Sequence, residues 1–242
     1  MKKNISLLLL QARKKNDLMI KNELDCFSKS LKIEKKQFTI RDLTRDKIKK
    51  SEIRKHDLIL VGGSGDYSIA KGGDFMKQTM DIMQYLVSFS RKTFASCWGF
   101  QAMASAMGGK VINDLKLAEL GSIKLKLTQS GKKDPIFKNI SNNFLAQMGH
   151  EDIVIKKPKN AIILASSDKI EIEAFRFKEK PIYCTQFHPE LRVNDLKKRM
   201  KSYPKYVQKI LGISEKEFIE KHCFESKEAE SILTHFVNFY FS

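Results

Sequence analysis

An α/β fold with an open, mainly parallel sheet is predicted for this chain. Strands and helices alternate over the first half, several strands are continuous apolar runs, and the second half contains closely spaced strands. Alternation of this kind is typical of parallel sheets, and apolar runs suit strands covered on both faces. We expect one catalytic domain over residues 1–190, with added antiparallel strands, and a helical C-terminal extension of the same domain over residues 191–242.

The first half supplies the parallel part of the sheet. Its predicted strands are Ile5–Gln11, Gln37–Ile40, Asp57–Val61 and Thr93–Ser96. Apolar residues at helical spacing predict helices over Asn16–Leu31, Gly72–Ser90 and Trp98–Met107. Gly108-Gly109 is a stop signal for the last of these helices.

The second half is predicted to be rich in strands and then helical. Apolar and polar residues alternate over Ser122–Gln129, which indicates a half-exposed strand. Further predicted strands are Phe144–Met148, Ala161–Ser166, Glu171–Phe177 and Pro181–Phe187. The predicted helices are Leu191–Leu211, broken by Pro204, then Ser214–His222 with a capping box, and Ser226–Phe241.

Charge and cysteine content exclude several classes of protein. The chain has 242 residues and a net charge of +17, but its basic stretches lack interleaved aromatic residues or a recognition-helix pattern, so no specific nucleic-acid binding is expected. The four cysteines have no paired spacing, which argues against a disulfide framework and a zinc site. No apolar run approaches the length of a membrane span. We therefore expect a soluble cytoplasmic protein without a membrane partner.

Cys97 lies between a predicted strand and a predicted helix, in the segment Ala95-Ser-Cys97-Trp-Gly99. Small residues two positions before and after it allow a sharp turn that presents the thiol above the sheet. The N-terminus of the following helix favours a thiolate. Cys97 is therefore a candidate nucleophile, whereas Cys26, Cys184 and Cys223 are expected to be structural.

A candidate base lies 91 residues further on, in Phe187-His188-Pro189-Glu190. His188 comes where an apolar strand ends, and Glu190 can orient its imidazole ring. Thiol, imidazole and carboxylate together make an activated acyl-transfer nucleophile. Such a site needs oxyanion donors, which backbone N–H groups in the turn Gly62-Gly63-Ser64-Gly65 and the N–H of Trp98 can supply. The glycine turn fits neither common phosphate-loop pattern.

Four motifs occur in the order found in class I glutamine amidotransferases of the triad type. Cys97-Trp-Gly99-Phe-Gln101 resembles the Cys-x-Gly-x-Gln elbow, and His188-Pro189-Glu190 is identical to the His-Pro-Glu element. Gly62-Gly63 resembles the oxyanion-strand glycines of the family. Met148-Gly149-His150-Glu151-Asp152 resembles a Ser-His-Gly-Asp element of GMP synthetase glutaminase domains, including stand-alone ones. The resemblance covers roughly residues 5–190 and implies the three-layer, flavodoxin-like fold of that family.

The resemblance also implies roles for individual residues. Cys97 would be the nucleophile, His188 the acid/base and Glu190 its orienting partner. Gly63 and Trp98 would donate to the oxyanion. Gln101, Gly149 and His150 would bind the amino acid end of glutamine, and neither a metal nor an organic cofactor is required. The chain departs from the family pattern at Ala95, Ser64 and Glu151, and the last two bear on substrate contacts.

Three functions are compatible with these residues. The first is a cysteine-dependent glutaminase that releases ammonia through a γ-glutamyl thioester for a separate synthetase partner, because residues 191–242 are too few for a synthetase domain. The second is a γ-glutamyl peptidase or hydrolase of the same fold. The third, a non-catalytic regulatory relative, is disfavoured by the intact triad.

Overall fold

Buried apolar strands and amphipathic helices alternate through the first half of the protein, as predicted. The structure, a computed structural model, describes residues 4–241, so Met1, Lys2, Lys3 and Ser242 at the ends of the predicted domain ranges lie outside it. The strands of this half are β1 (Leu7–Gln11), β2 (Phe38–Asp42), β3 (Leu58–Val61) and β4 (Thr93–Ser96). The helices are α1 (Met19–Leu31), α2 (Lys50–Arg54), α3 (Met76–Ser88) and α4 (Trp98–Ala106).

The second half contributes the remaining strands and the C-terminal helices. Its strands are β5 (Lys110–Asn113), β6 (Glu119–Leu127), β7 (Asn143–His150), β8 (Asp152–Lys156), β9 (Ala161–Ser166), β10 (Ala174–Phe177) and β11 (Ile182–Thr185). Its helices are α5 (Gln129–Lys133), α6 (Val193–Ser202), α7 (Pro204–Leu211), α8 (Glu215–Lys221) and α9 (Lys227–Phe241).

One nine-stranded sheet has the order β2-β1-β3-β4-β11-β10-β9-β6-β7. The pairs from β2 to β11 are parallel, and those from β11 to β7 are antiparallel. This confirms the mainly parallel sheet with added antiparallel strands. Strands β4 and β11 are neighbours, so the turns that follow them, which contain Cys97 and His188, leave the same edge of the sheet.

Helices cover both faces of the sheet and make three layers. Leu7 and Leu9 of β1 pack in one core with residues of α1 and α9, whereas Leu8 and Leu10 pack in a second core with residues of α3 and α4. This alternation explains why β1 reads as a continuous apolar run, since every second side chain enters a different core. A third, smaller core joins Leu120 of β6 to helices α6, α7 and α8.

Two strands were not predicted from the sequence. Strands β5 and β8 pair with each other in a separate antiparallel ribbon, which places β8 directly after β7 with only Glu151 between them. The outer ends of this ribbon are lysine-rich and exposed, so their residues lack the continuous apolar character of the central strands. The ribbon matters because the β7–β8 turn forms part of the site described below.

The helical extension has the predicted break at Pro204. Pro204 is the first residue of α7, a position at which its missing N–H costs nothing. Helix α9 packs on the main core, with Ile232, Leu233 and Phe236 fully buried. Over residues 4–241, no helix has the length and apolar character needed to cross a membrane.

Candidate active site

Cys97 occupies the sharp turn that the sequence predicts between β4 and α4. Its backbone has φ 53° and ψ −107°, a strained conformation for a residue with a side chain. Gly99 makes this turn feasible, because a Cβ atom there would lie 2.6 Å from the backbone oxygen of Val61. Cys97 is 3% exposed and its Sγ lies 4.0 Å from the carbonyl oxygen of Gly149.

His188 and Glu190 form a buried pair at the end of β11. The imidazole Nδ1 donates to Glu190 Oε1 at 2.6 Å, which leaves Nε2 to face the other way. The backbone N–H of His188 donates to the carbonyl of Gln147, and this bond holds the turn against β7. The predicted orienting contact between Glu190 and His188 is therefore present.

Cys97 and His188 are brought together by their neighbouring strands, and both line one cavity. Burial alone disfavours the imidazolium, but the negative charge of Glu190 and the interaction with Cys97 outweigh it and raise the pKa of His188 to about 9. Burial acts to raise the pKa of Glu190, yet the charge of His188 lowers it overall. The site thus favours an ion pair between His188 and its carboxylate at neutral pH.

The two expected oxyanion donors, the N–H groups of Gly63 and Trp98, differ in whether a protein acceptor already occupies them. Gly63 lies beside the pair, since a Cβ atom there would approach His188 Cε1 to 2.8 Å. Its N–H, however, donates to Glu23 Oε1 at 2.9 Å and is engaged in this structure. Trp98 is the first residue of α4, directly after Cys97, so its N–H belongs to the free N-terminal end of the helix.

The residues expected to contact the substrate surround one cavity, which is also lined by Cys97 and His188. Gln101, Gly149 and His150 all line it. The Gln101 Nε2 amide donates to the Asp152 carbonyl at 3.0 Å and to Gln186 Oε1 at 3.2 Å, so this side chain tethers the β7–β8 turn. The His150 side chain is buried, although the residue lines the cavity, and its Nδ1 lies 3.2 Å from the Asp152 carbonyl oxygen.

The C-terminal helices complete the cavity, which the sequence analysis did not foresee. The cavity holds about 420 Å³ and is lined by Cys97 and His188 together with side chains from α6 and α7. Those side chains are Leu196, Arg199, Met200, Tyr203, Tyr206 and Lys209. The amphipathic pattern of residues 191–211 predicted only that this segment packs somewhere, because such a pattern does not specify the packing partner.

Three polar contacts fix α6 and α7 over the cavity. Tyr203 donates to Asp17 Oδ1 at 2.7 Å, Arg199 Nε donates to Asn22 Oδ1 at 3.1 Å, and Lys209 donates to Glu151 at 2.6 and 2.7 Å. Glu151, which departs from the family pattern, therefore contacts α7. The other departure, Ser64, accepts from the N–H groups of Asp66 and Tyr67 and stabilises its own turn.

Buried cysteines outside the site behave as structural thiols. Burial raises the pKa of Cys26 to about 12, that of Cys223 to about 11 and that of Cys184 well above its usual value. Among residues 4–241, one group of side chains has metal-ligand atoms close together. These are Glu119, His150 and Glu173, whose ligand atoms all lie within 4.8 Å of one another.

The fold is that of a three-layer α/β protein with Cys97, His188 and Glu190 gathered at one end of the parallel strands, and comparison with known families identifies its class. The family model for class-I glutamine amidotransferases matches residues 12–202. Because this match spans most of the chain, the protein belongs to the class-I glutamine amidotransferase family. The matched segment extends beyond residue 190 and includes α6.

Curated relatives are GMP synthases or their subunits. The chain is 33% identical over 123 residues to one subunit of the glutamine-hydrolysing GMP synthase of Methanococcus aeolicus, covering 51% of this chain and 63% of that protein. It is 31% identical over 140 residues to the corresponding GMP synthase subunit of Sulfurisphaera tokodaii, covering 58% and 70%. The match thus spans somewhat less than two thirds of the Methanococcus relative.

Solved structures share the fold over almost the whole chain. A glutamine amidotransferase from Thermotoga maritima superposes with a TM-score of 0.76 at 17% identity, covering 98% of both chains. A protein described as a putative GMP synthase subunit from Thermoplasma acidophilum gives a TM-score of 0.66 at 20% identity, covering 97% and 94%. At these identities the likeness concerns the fold.

Proposed function

We propose that the protein hydrolyses the side-chain amide of glutamine through a γ-glutamyl thioester on Cys97 and releases ammonia for a separate synthetase partner. The observation that carries this proposal is the buried arrangement of Cys97, His188 and Glu190 at one edge of the sheet. The names of the GMP synthase relatives support glutamine as the substrate and a synthetase as the partner.

The proposed reaction has two steps. The Cys97 thiolate attacks the amide carbonyl carbon, and His188 gives its proton to the nitrogen as the carbon–nitrogen bond breaks and ammonia leaves. His188 then removes a proton from water, which attacks the thioester, and glutamate leaves as the carbon–sulfur bond breaks. Glu190 holds the ring in the orientation that both steps need.

Backbone N–H groups are proposed to stabilise the oxyanion in both steps. Trp98 would donate from the start of α4, where the helix dipole also favours negative charge. Gly63 would donate only after its N–H leaves the Glu23 carboxylate. Gln101 and the backbone of Gly149 and His150 would form the wall that binds the amino acid end of glutamine.

One observation favours a second function, hydrolysis of γ-glutamyl peptides. Arg199 is 7% exposed, lines the cavity, and its Nη2 has no hydrogen-bond partner among the described residues. A buried guanidinium N–H group without a partner is available to donate to an anion that enters the cavity. A carboxylate on the leaving amine of a γ-glutamyl dipeptide would supply that anion, whereas ammonia would not.

A substrate panel separates the two functions. Ammonia release from glutamine and amino acid release from γ-glutamyl dipeptides are measured on the same preparation, with Cys97→Ala as the blank. Fast turnover of glutamine, or its acceleration by a synthetase protein, supports the first function. Slow turnover of glutamine with fast cleavage of dipeptides overturns it. In that case Arg199→Gln is expected to lower kcat/KM for dipeptides about tenfold more than for glutamine.

A further inference from the structure

Three buried side chains converge behind the wall of the cavity and point their electron-pair atoms at one another. Glu119 and His150 are cross-strand partners on β6 and β7, and Glu173 directly precedes β10. Their exposed fractions are 4%, 3% and 0%. Within the described residues, Glu119 Oε2, His150 Nε2 and both carboxylate oxygens of Glu173 make no hydrogen bond of ordinary geometry.

The protonation of His150 follows from its other ring nitrogen. Nδ1 lies 3.2 Å from the carbonyl oxygen of Asp152, and a carbonyl oxygen can only accept, so Nδ1 carries the hydrogen. In the neutral ring Nε2 then has a free lone pair, which faces Glu119 Oε2 at 3.4 Å. A His whose second nitrogen donates to a backbone carbonyl is the usual arrangement of a metal-binding imidazole.

The separation of 3.4 Å between His150 Nε2 and Glu119 Oε2 is longer than a charge-assisted hydrogen bond and fits two ligands of one metal ion. The other buried imidazole–carboxylate pair of this protein, His188–Glu190, is joined at 2.6 Å. Charge-assisted bonds of this kind are about 2.7–2.9 Å long. Two ligands at about 2.0–2.2 Å from one tetrahedral ion are instead about 3.3–3.5 Å apart.

The charge of the cluster also calls for a cation. Glu119 and Glu173 are two carboxyl groups in the core, and their exposed fractions are 4% and 0%. None of the ion pairs among residues 4–241 joins Glu119 or Glu173 to a lysine or arginine. A divalent ion would balance both carboxylates at once.

From this convergence, we propose that Glu119, His150 and Glu173 bind one divalent metal ion, for which Zn²⁺ is the best match. Imidazole and carboxylate ligands suit Zn²⁺, and a fourth position would take water. The outer contacts are already formed, because Ser167 Oγ donates to Glu119 Oε1 at 2.8 Å and Asp152 holds the His150 ring. His150 is also a lining residue of the cavity, so the proposed metal site borders the candidate active site.

Such an ion would stabilise the substrate wall without entering the chemistry. It would join the ends of β6 and β7 to the segment before β10, and so fix the end of β7, which contains Gly149. Cysteine spacing could not reveal this site, since its ligands are spread over 54 residues and include no cysteine. The expectation of no metal site rested on the cysteine spacing and on the family resemblance.

Zinc binding is tested on the full chain in the Cys97→Ala background, which removes the thiol that could itself bind zinc. The protein is treated with a chelator, dialysed, and titrated with Zn²⁺ by calorimetry, while bound metal is counted by elemental analysis. We expect one equivalent of zinc. Adding Glu173→Gln should weaken binding at least tenfold. Adding Ser167→Ala, which leaves all three proposed ligands in place, should weaken it less.

Thermal unfolding with and without Zn²⁺ provides the second readout. Zinc should raise the Tm of the Cys97→Ala protein and leave that of Cys97→Ala/Glu173→Gln unchanged, because an ion that binds only the folded state stabilises it. Binding below one tenth of an equivalent, or equal binding by a folded Glu173→Gln protein, overturns the proposal and indicates a proton shared by the two carboxyl groups. Neither readout depends on the proposed enzymatic activity.

Discussion

Two buried imidazole–carboxylate pairs each contribute a histidine to the lining of one cavity, and they differ in sequence spacing, in the distance between their atoms and in what surrounds them. His188 and Glu190 are two residues apart, are joined by a hydrogen bond of 2.6 Å, and lie beside Cys97, whose interaction with His188 helps to raise the pKa of that ring. His150 and Glu119 come from neighbouring strands, stand 3.4 Å apart, and face a second carboxylate. The His188–Glu190 pair, hereafter the first pair, shares a proton in a short hydrogen bond. In the His150–Glu119 pair, hereafter the second pair, two electron-pair acceptors face each other without such a bond.

Removal of the nucleophile should have the largest effect on activity. Cys97→Ala is expected to lower kcat by at least about 10⁴-fold, because no other described residue at the site can form the thioester. The free energy of unfolding should change little, since alanine keeps the Cβ atom of Cys97 and the loss of one sulfur atom opens no large cavity. Circular dichroism and a calorimetric Tm serve as controls for folding. Turnover within tenfold of wild type would remove Cys97 from the mechanism.

Loss of the Glu190 carboxylate should have the second-largest effect on activity. Glu190→Gln keeps the shape of the side chain but removes the charge that favours the His188 imidazolium, so we expect kcat to fall about 10³–10⁴-fold. The steady-state rate against pH is the measurement. Glu119→Gln is the matched control on the other pair, and it should leave kcat within about tenfold of wild type. Equal losses in the two variants would contradict the contrast between the pairs.

The same pair makes stability depend on pH. The pKa of His188 is raised in the folded state from 6.5 to about 9, so the folded protein binds this proton more tightly than the unfolded chain does. The stabilisation is fully present below pH 6.5 and is lost as pH rises towards 9. Denaturant unfolding between pH 6 and 10 should show this loss in wild type and a flatter profile in Glu190→Gln. Identical profiles would argue against the raised pKa.

A methyl group at Gly63 should disturb the first pair alone. Its Cβ would lie 2.8 Å from His188 Cε1, which must move, and displacement of a catalytic ring by about 1 Å can cost about 10²-fold in kcat. Gly65→Ala is the control, since the nearest atoms to a Cβ there are those of Tyr203 at 3.9 Å. A Gly63→Ala variant as active as Gly65→Ala would mean that His188 is not held where the structure places it.

The contact between α7 and the β7–β8 turn should have the smallest effect. Lys209 and Glu151 form a partly exposed ion pair, and pairs of this kind contribute at most about 1 kcal/mol. Lys209→Ala should raise KM several-fold with kcat unchanged. Lys221→Ala removes an ion pair of α8 with Glu217, away from the cavity, and should leave KM unchanged. A lower kcat in Lys209→Ala would contradict this prediction and would mean that α7 affects the chemical step as well as substrate binding.

The first pair could be predicted from the sequence, and the second could not, for a physical reason. Local rules indicate Cys97 and His188: a small-residue turn follows one apolar strand, and a His-Pro-Glu turn lies at the end of another. Neighbouring parallel strands then bring their ends together. Glu119 and Glu173 lie in segments without such a local signature, and only the pairing of β6 with β7 places Glu119 beside His150.

The same limit applies to the cavity. The sequence predicts most strands and helices within a few residues, because hydrophobic periodicity is a local property. It does not predict that α6 and α7 fold back over Cys97, since this depends on long-range contacts such as Tyr203 with Asp17 and Arg199 with Asn22. The engagement of the Gly63 N–H by Glu23 is likewise visible only in three dimensions.

The central claim is that Cys97 forms a covalent γ-glutamyl intermediate, and acid quenching during turnover tests it most directly. Wild type is mixed with glutamine, quenched within the first turnovers, digested, and analysed by mass spectrometry. Cys184, a buried thiol of the same protein, is the internal control. We expect a γ-glutamyl adduct on Cys97, none on Cys184, and longer persistence of the adduct in Glu190→Gln. Ammonia release without an adduct on Cys97 at any quench time, or with an adduct on another residue, would contradict the account.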